Sequence, residues 1–332
     1  MIHLIELPTF AVNWCHKLGA CPDTLEPLQG GINNQVFRCM AGGRRFVLKG
    51  YAARRTGEHD RFKAEVQFLN YARVVAPEFV PQLLGSDAAS RSLVLESLEG
   101  DRFQEETPPS EEDIERALIF IRRLNEDTDL AKKYINGSAA DGFLMLTEHL
   151  QNIAQRLSKM SAEHLSANSR AKAGEIIKHL SRQLDCLRES TECLIVKAHC
   201  ENALDPIERC ISPSDFGFHN AIRTPTGVKF FDFEFAGWDD PVKAVADFDL
   251  QPRVPLRLRA RVLSKALPQW SKGLAGRYDA LFPILKLKWA CIILAILNPD
   301  RYAQLIAFDE VQASEQLVQR KLDLVQSYLT KD

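Results

Sequence analysis

Asp215, Asn220 and Asp232 are the residues of this 332-residue chain whose types and spacing could do chemistry. They lie in the stretch SPSDFGFHNAIRTPTGVKFFDFEFAGWDD, residues 212–240. An aspartate, an asparagine five residues on and a second aspartate inside a short apolar run suit phosphoryl transfer. The first carboxylate would accept a proton from an attacking hydroxyl. The amide oxygen and the second carboxylate are hard oxygen ligands, of the kind Mg²⁺ takes beside a nucleoside triphosphate.

Local elements must bring these groups together. Lys229–Phe235, KFFDFEF, reads as a strand with aromatics on one face. Ala221–Arg223 reads as its hairpin partner, with the turn over Thr224–Gly227, TPTG. Asn220 then precedes the first strand, Asp232 lies towards the end of the second, and the hairpin gathers both at one end. Asp215 falls in the loop before. Asp-x-x-x-x-Asn is by itself a weak signal. The Asp-Phe-Glu that follows, and then Gly-Trp-Asp-Asp-Pro, make it a specific one.

The segment resembles the catalytic core of the aminoglycoside phosphotransferase and choline kinase group, the phosphotransferase enzyme family with the protein-kinase-like fold. The resemblance implies that Asp215 is the catalytic aspartate and that Asn220 and Asp232 are metal ligands. Gly237 and Asp240–Pro241 match the tail of the motif. One position departs from it: Pro213 stands where that group usually has a histidine, two residues before the aspartate.

A kinase-like reading demands a glycine-rich loop, a strand lysine and a helix glutamate, in that order. Leu28–Cys39, LQGGINNQVFRC, reads as two short strands around a turn, in which Gly30, Gly31, Asn33 and Asn34 permit the positive φ that turns N–H groups towards phosphate. Arg45–Tyr51 reads as a strand carrying Lys49. Residues 59–75 place Phe62, Val66, Leu69 and Ala72 at helical spacing with Glu65 beside that stripe. Val94–Glu96 reads as a further strand that leads through Leu98 into a linker, and Glu96 and Leu98 would border the adenine. The resemblance spans residues 25–297 and implies an α+β, two-lobed, protein-kinase-like fold. Residues 1–98 would form a small antiparallel-sheet lobe with one helix, and 99–332 a larger, mainly helical lobe.

Beyond the linker, Ser110 with Asp113 resembles a capping box opening a helix with Ile114, Leu118, Ile121 and Leu124. Helices are expected over Phe143–Met160, from Ser169 to about residue 198, and over Val254–Leu329 with breaks at Pro268, Pro283 and Pro299. With 45% hydrophobic residues the chain can bury a large core, and a net charge of -2 gives no reason to expect nucleic-acid binding. Eight scattered cysteines without a Cys-x-x-Cys pair suggest reduced thiols in a cytoplasmic protein. No stretch reads as a targeting segment or membrane span.

The reading that follows is an ATP–Mg²⁺-dependent transfer to the hydroxyl of a small molecule, such as a sugar, an amino-alcohol or an aminoglycoside-like compound. Its alternative is an inactive nucleotide-binding scaffold, suggested by Pro213. No Ala-Pro-Glu segment follows Asp232, which disfavours peptide substrates. His219, Glu234, Trp238 and Asp239 are the acceptor-side candidates. Asp240, ahead of Pro241, is more simply bonded to backbone N–H groups.

Overall fold

The computed structural model describes residues 8–28, 34–54, 57–104, 108–197, 203–251, 262–308 and 315–330. The chain gathers into two compact units, residues 1–140 with 211–238, and residues 141–210 with 239–332.

The first unit opens with a helix that the sequence reading missed, α1 (Thr9–Leu18), ended by Gly19 at φ 70. Its Ala11 and Cys15 pack on Phe37, Cys39, Phe46 and Leu48, so the apolar alternation of the neighbouring strands has something to bury against. Those strands are β1 (Glu26–Pro27), β2 (Asn34–Ala41) and β3 (Arg44–Tyr51). After α2 (Arg61–Val75) come β4 (Leu83–Asp87) and β5 (Ser92–Glu96), and all five strands form one antiparallel sheet in the order β1-β2-β3-β5-β4. The register sets Lys49 of β3 opposite Val36 on one side and Leu93 on the other, in the middle of the sheet. Asp60 caps α2 by accepting from the Lys63 N–H at 3.2 Å.

The short β6 (Asp101–Arg102) precedes α3 (Glu111–Asn125), which starts on the expected capping box of Ser110 and Asp113. Asp113 also takes Arg223 at 2.5 Å, tying the helix start to a later strand of the same unit. The helix α4 (Thr128–Tyr134) follows. The chain returns to this unit through β7 (Cys210–Ser212), forms the hairpin β8 (Ala221–Thr224) and β9 (Gly227–Phe230), and leaves through β10 (Gly237–Asp239). An aromatic cluster underlies the hairpin: Phe120 stacks on Phe230 at 5.3 Å, Phe68 on Phe233 at 4.4 Å, and Phe216 meets Phe230 at 4.8 Å.

The second unit is helical: α5 (Leu146–Ser158), α6 (Ala167–Lys197), α7 (Pro241–Leu250), α8 (Lys272–Ile293), α9 (Pro299–Phe308) and α10 (Glu315–Thr330). One expectation is corrected here. Pro283 does not break a helix but sits inside α8. An interior proline costs about 3 kcal/mol, and the burial of Leu281, Ile284, Leu285 and Leu287 around it offsets that. Pro299, in contrast, stands at the first position of α9, where its missing N–H is not needed.

This unit also buries a charge network. Lys243 meets Asp239 at 2.7 Å and Asp247 at 3.3 Å, Lys288 meets Asp247 at 2.7 Å, and the Trp289 indole N–H donates to Asp247 at 2.8 Å. Burial works against a charge on Asp247, but Lys288 and Lys243 outweigh it and hold its carboxyl at about 2. A folded-state value below the ordinary 3.8 means that this contribution is complete above about pH 4 and is lost as the pH falls towards 2. Asp247→Asn should therefore cost about 3–5 kcal/mol at pH 7, because two buried lysines lose a partner. Chemical denaturation at pH 7 and pH 3 checks this: the gap between wild type and variant should narrow at the lower pH.

Candidate active site

Aromatic anchoring explains why the polar residues emerge where they do. In DFGFHN, Phe216 and Phe218 are buried, and Asp215, Gly217, His219 and Asn220 alternate with or follow them. In FFDFEF, Phe230 and Phe233 are buried on either side of Asp232. The strand expected over Lys229–Phe235 ends earlier, at Phe230. Asp232 adopts φ 67, a left-handed conformation that a strand cannot continue through, and this turn sends Phe233 down onto Phe68. Ser214, just before Asp215, is likewise at φ 65. Positive φ at a residue with a side chain costs about 1–3 kcal/mol and concentrates at functional sites.

Lys49 and Glu65 answer each other across β3 and α2. The Lys49 Nζ donates to Glu65 Oε2 at 2.7 Å and to Asp232 Oδ1 at 2.5 Å, and lies 4.0 Å from Glu234 Oε2. Burial alone would lower the Lys49 pKa, yet Glu65, Asp232 and Glu234 raise it above the ordinary lysine range, so its charge is secure. Glu65, which the sequence placed beside the apolar stripe of α2, is 1% exposed and is the buried partner of this lysine.

Around Asp215, the Asn220 Nδ2 donates to the Asp215 backbone oxygen at 3.1 Å and to its Oδ2 at 3.3 Å. The His219 Nε2 lies 3.1 Å from Oδ1. The Phe231 N–H donates to the Asn220 backbone oxygen at 2.9 Å, which places Asn220 across from the residue preceding Asp232, as the hairpin reading required. With both amide protons of Asn220 directed at Asp215, its Oδ1 is left without a protein partner among the described residues. That oxygen and the Asp232 carboxylate, whose side chain is 38% exposed, are hard-oxygen donors of the kind Mg²⁺ takes.

The other candidates fall as follows. Asn34 donates from Nδ2 to Glu234 Oε2, joining the start of β2 to the segment after Asp232. Glu234 is buried, and its pKa is raised by that burial, with Lys49 opposing. Its neighbours are thus Asn34 and Lys49, which the sequence reading expects on the nucleotide side. Gly30, Gly31 and Asn33 lie outside the described residues. Glu96 ends β5, accepts from the Gln82 N–H at 3.2 Å and faces Lys229 at 3.7 Å, and Leu98 is half-buried just beyond. Trp238 is half-buried and spends its indole N–H on the Ile135 carbonyl at 2.8 Å. The preceding Gly237 leaves no room for a side chain, since a Cβ there would stand 2.6 Å from the Ala139 nitrogen. Asp239 belongs to the second unit, where it is fully buried against Lys243 and pushed by burial up to about 6. The expectation that it faces an acceptor is corrected to a structural ion pair. Asp240 caps α7 through the Val242 N–H at 2.8 Å, the backbone role foreseen for it, and also takes Arg277 at 2.8 Å.

Two residues escaped the sequence reading. Asn125, at the end of α3, is buried and grips Ile211 in both directions, accepting its N–H at 2.8 Å and donating to its carbonyl at 3.0 Å. It thereby fixes the strand that leads into Asp215. Tyr51 is the second. Its hydroxyl donates to the same Glu65 Oε2 that receives Lys49, and the Lys49 ammonium lies 5.2 Å from its ring centroid. Its spacing was a usable signal, since Tyr51 is two residues past Lys49 and so on the same face of β3. Tyr51→Phe should leave the fold intact and raise the KM for ATP by about three- to tenfold, through one lost hydrogen bond to a charged group. Lys49→Met should do far more damage. Steady-state kinetics on the two variants checks the ranking.

The phosphotransferase enzyme family profile matches residues 24–248. No curated protein sequence matches the chain. Among solved structures, a choline/ethanolamine kinase family protein from Mesorhizobium loti aligns with TM-score 0.54 and 17% identity, over 96% of this chain and 100% of that one. A choline kinase from Cryptosporidium parvum Iowa II aligns with TM-score 0.56 and 12% identity, over 96% and 99%. A spectinomycin phosphotransferase, in complex with ADP and spectinomycin, aligns with TM-score 0.54 and 9% identity over 92% of each chain. At such identities the structural likeness establishes the kinase-like fold, while the profile match covers well over half of the chain. The chain belongs to the phosphotransferase enzyme family, small-molecule kinases that pass a phosphoryl group to a hydroxyl acceptor.

Proposed function

We propose that the protein is an ATP- and Mg²⁺-dependent O-phosphotransferase acting on a small alcohol: a sugar, an amino-alcohol or an aminoglycoside-like compound. The observation that carries this reading is the joint placement of Lys49 between Glu65 and Asp232 with an Asp215 carboxylate held, half-exposed, by its own loop. A structural ion-pair network would not leave a carboxylate aimed and accessible in this way. The complexed spectinomycin phosphotransferase supports the nucleotide part, and the choline kinases the alcohol part.

In this reading Lys49 contacts the α- and β-phosphates and is kept extended by Glu65. Asn34 would contact the phosphates, Gly30, Gly31 and Asn33 are candidates for the same task by sequence alone, and Glu96 and Leu98 would border the adenine. Asn220 and Asp232 would hold Mg²⁺, which when bound offsets charge on the phosphate oxygens. Asp215 accepts the acceptor's proton as the acceptor oxygen bonds to the γ-phosphorus and the bond from that phosphorus to the ADP oxygen breaks. The transition state is loose, so positioning and charge neutralisation provide most of the rate. The 1–98 and 99–332 lobes are the functional division this implies, nucleotide side and acceptor side. ATP use together with free thiols at all seven described cysteines fits a cytoplasmic reaction. No helix among the described residues is long and apolar enough to cross a membrane. Beyond Pro213, no observation favours the scaffold alternative.

A panel of choline, ethanolamine, spectinomycin, hygromycin B and simple sugars, assayed for ADP release with ATP and Mg²⁺, tests the reading. One alcohol class should raise ADP release well above the rate in water. Failure of every alcohol, together with no binding of ATP–Mg²⁺, would sink it.

A further inference from the structure

His219 is placed for a task that the motif does not assign. The turn Phe218–Asn220 is closed by the Asn220 N–H bonding the Gly217 carbonyl at 3.1 Å. It is pinned by the buried Phe218, whose ring lies 5.0 Å from Phe103. With that ring pointing inward, the next side chain is directed along the loop. The His219 side chain is 11% exposed and its Nε2 stands 3.1 Å from Asp215 Oδ1. An ionised carboxylate only accepts, so Nε2 carries the proton and donates. The Nδ1 atom is then an acceptor, and it is buried without a partner among the described residues. Asn220 holds the other oxygen, Oδ2, at a longer 3.3 Å.

The two contacts divide the work unequally. Asn220 is a proposed metal ligand, and any swing of its amide towards a cation weakens its hold on Asp215. His219 has no such second duty. Pro213, two residues ahead of Asp215, has no side-chain donor to offer. The His219 contact at 3.1 Å is thus a hold on the carboxylate from a residue not proposed as a metal ligand.

We propose that His219 is a positioning residue for Asp215. Its Nε2–H fixes Oδ1, which keeps Oδ2 turned to the acceptor hydroxyl during transfer. The inference rests on the reading of Asp215 as the base and goes beyond it by assigning what orients that base. His219 acts through Asp215 and touches neither nucleotide nor phosphorus.

The test uses the full chain with ATP and Mg²⁺, following ADP release with water as the acceptor and with the best alcohol of the panel. His219→Phe keeps a ring and removes the N–H. It should lower kcat by about 10²-fold, the scale of a misplaced catalytic group, with the KM for ATP within about twofold of wild type. His219→Gln can still present an N–H near the place of Nε2 and should recover most of the loss. Should His219→Phe fail to fold, His219→Asn, one methylene shorter than the glutamine, stands in for it and should show the same loss. In an Asp215→Asn background, His219→Phe should add less than about twofold, because both changes remove one pathway. Wild-type kcat in His219→Phe overturns the proposal. So does equal damage in the Gln and Phe variants, or a further tenfold loss on top of Asp215→Asn. If Asp215→Asn itself keeps wild-type activity, the base assignment fails first. If Asp215→Asn is inactive and His219→Phe fully active, only the role of His219 falls.

Discussion

Asp232→Asn is expected to weaken ATP–Mg²⁺ binding and to lower turnover by several orders of magnitude while the protein still folds. The substitution keeps the shape and removes the charge that a hard divalent cation needs. It also removes a negative partner of Lys49, but Glu65 remains at 2.7 Å and Glu234 at 4.0 Å, so the lysine is not stranded. The strained φ 67 is tolerated by asparagine at least as well as by aspartate, so the backbone turn should survive. Titration of nucleotide binding with and without Mg²⁺ separates the two effects. The metal-dependent part should vanish and the metal-independent part should stay. Unchanged metal-dependent binding would take Asp232 out of the site and the assignment of Asn220 with it.

Asp215→Asn is expected to do the opposite, leaving ATP–Mg²⁺ affinity near wild type and abolishing transfer. Loss of a general base is typically worth about 10²–10⁴-fold, and lost orientation of the acceptor adds to that. The amide keeps the size of the carboxylate, and its oxygen can still accept from His219, so the loop should hold its form. Rapid-quench measurement of a single turnover shows whether the chemical step itself has slowed. An Asp215→Asn enzyme with wild-type transfer would place the base elsewhere in the loop.

Much of the site was legible because its determinants are local. The interval from Asp215 to Asn220 is one loop and one helical turn, and the interval to Asp232 is one hairpin, so composition and turn chemistry carry the geometry. The capping box at Ser110 and Asp113, the helix through Glu65 and the strand through Lys49 were readable for the same reason. Helix α1 was missed because its apolar residues only make sense against Phe37 and Cys39 of a strand that follows it. The length of the second hairpin strand was misjudged because six residues of alternating aromatics look extended, and only the packing of Phe233 on Phe68 requires the chain to turn at Asp232. Pro283 was misread because a proline's local cost is visible in sequence and the burial that outweighs it is not.

Sequence alone therefore supports a proposal of chemistry: which groups could accept a proton, which could offer hard oxygens, and in what order the candidate nucleotide-side residues come. Residue type and short spacing suffice for that, since each depends on a few bonds of chain. Which polar side chains are partners and which are spent is settled by folding. Glu65 and Lys49 are 16 residues apart and meet across a sheet and a helix. Tyr51 shares their carboxylate, Glu234 turns inward to Asn34 200 residues away, and Asp239 disappears into an ion pair with Lys243. A carboxylate in a sequence looks the same whether it faces substrate or a buried lysine. The difference is set by desolvation, which exists only once the chain has folded around it.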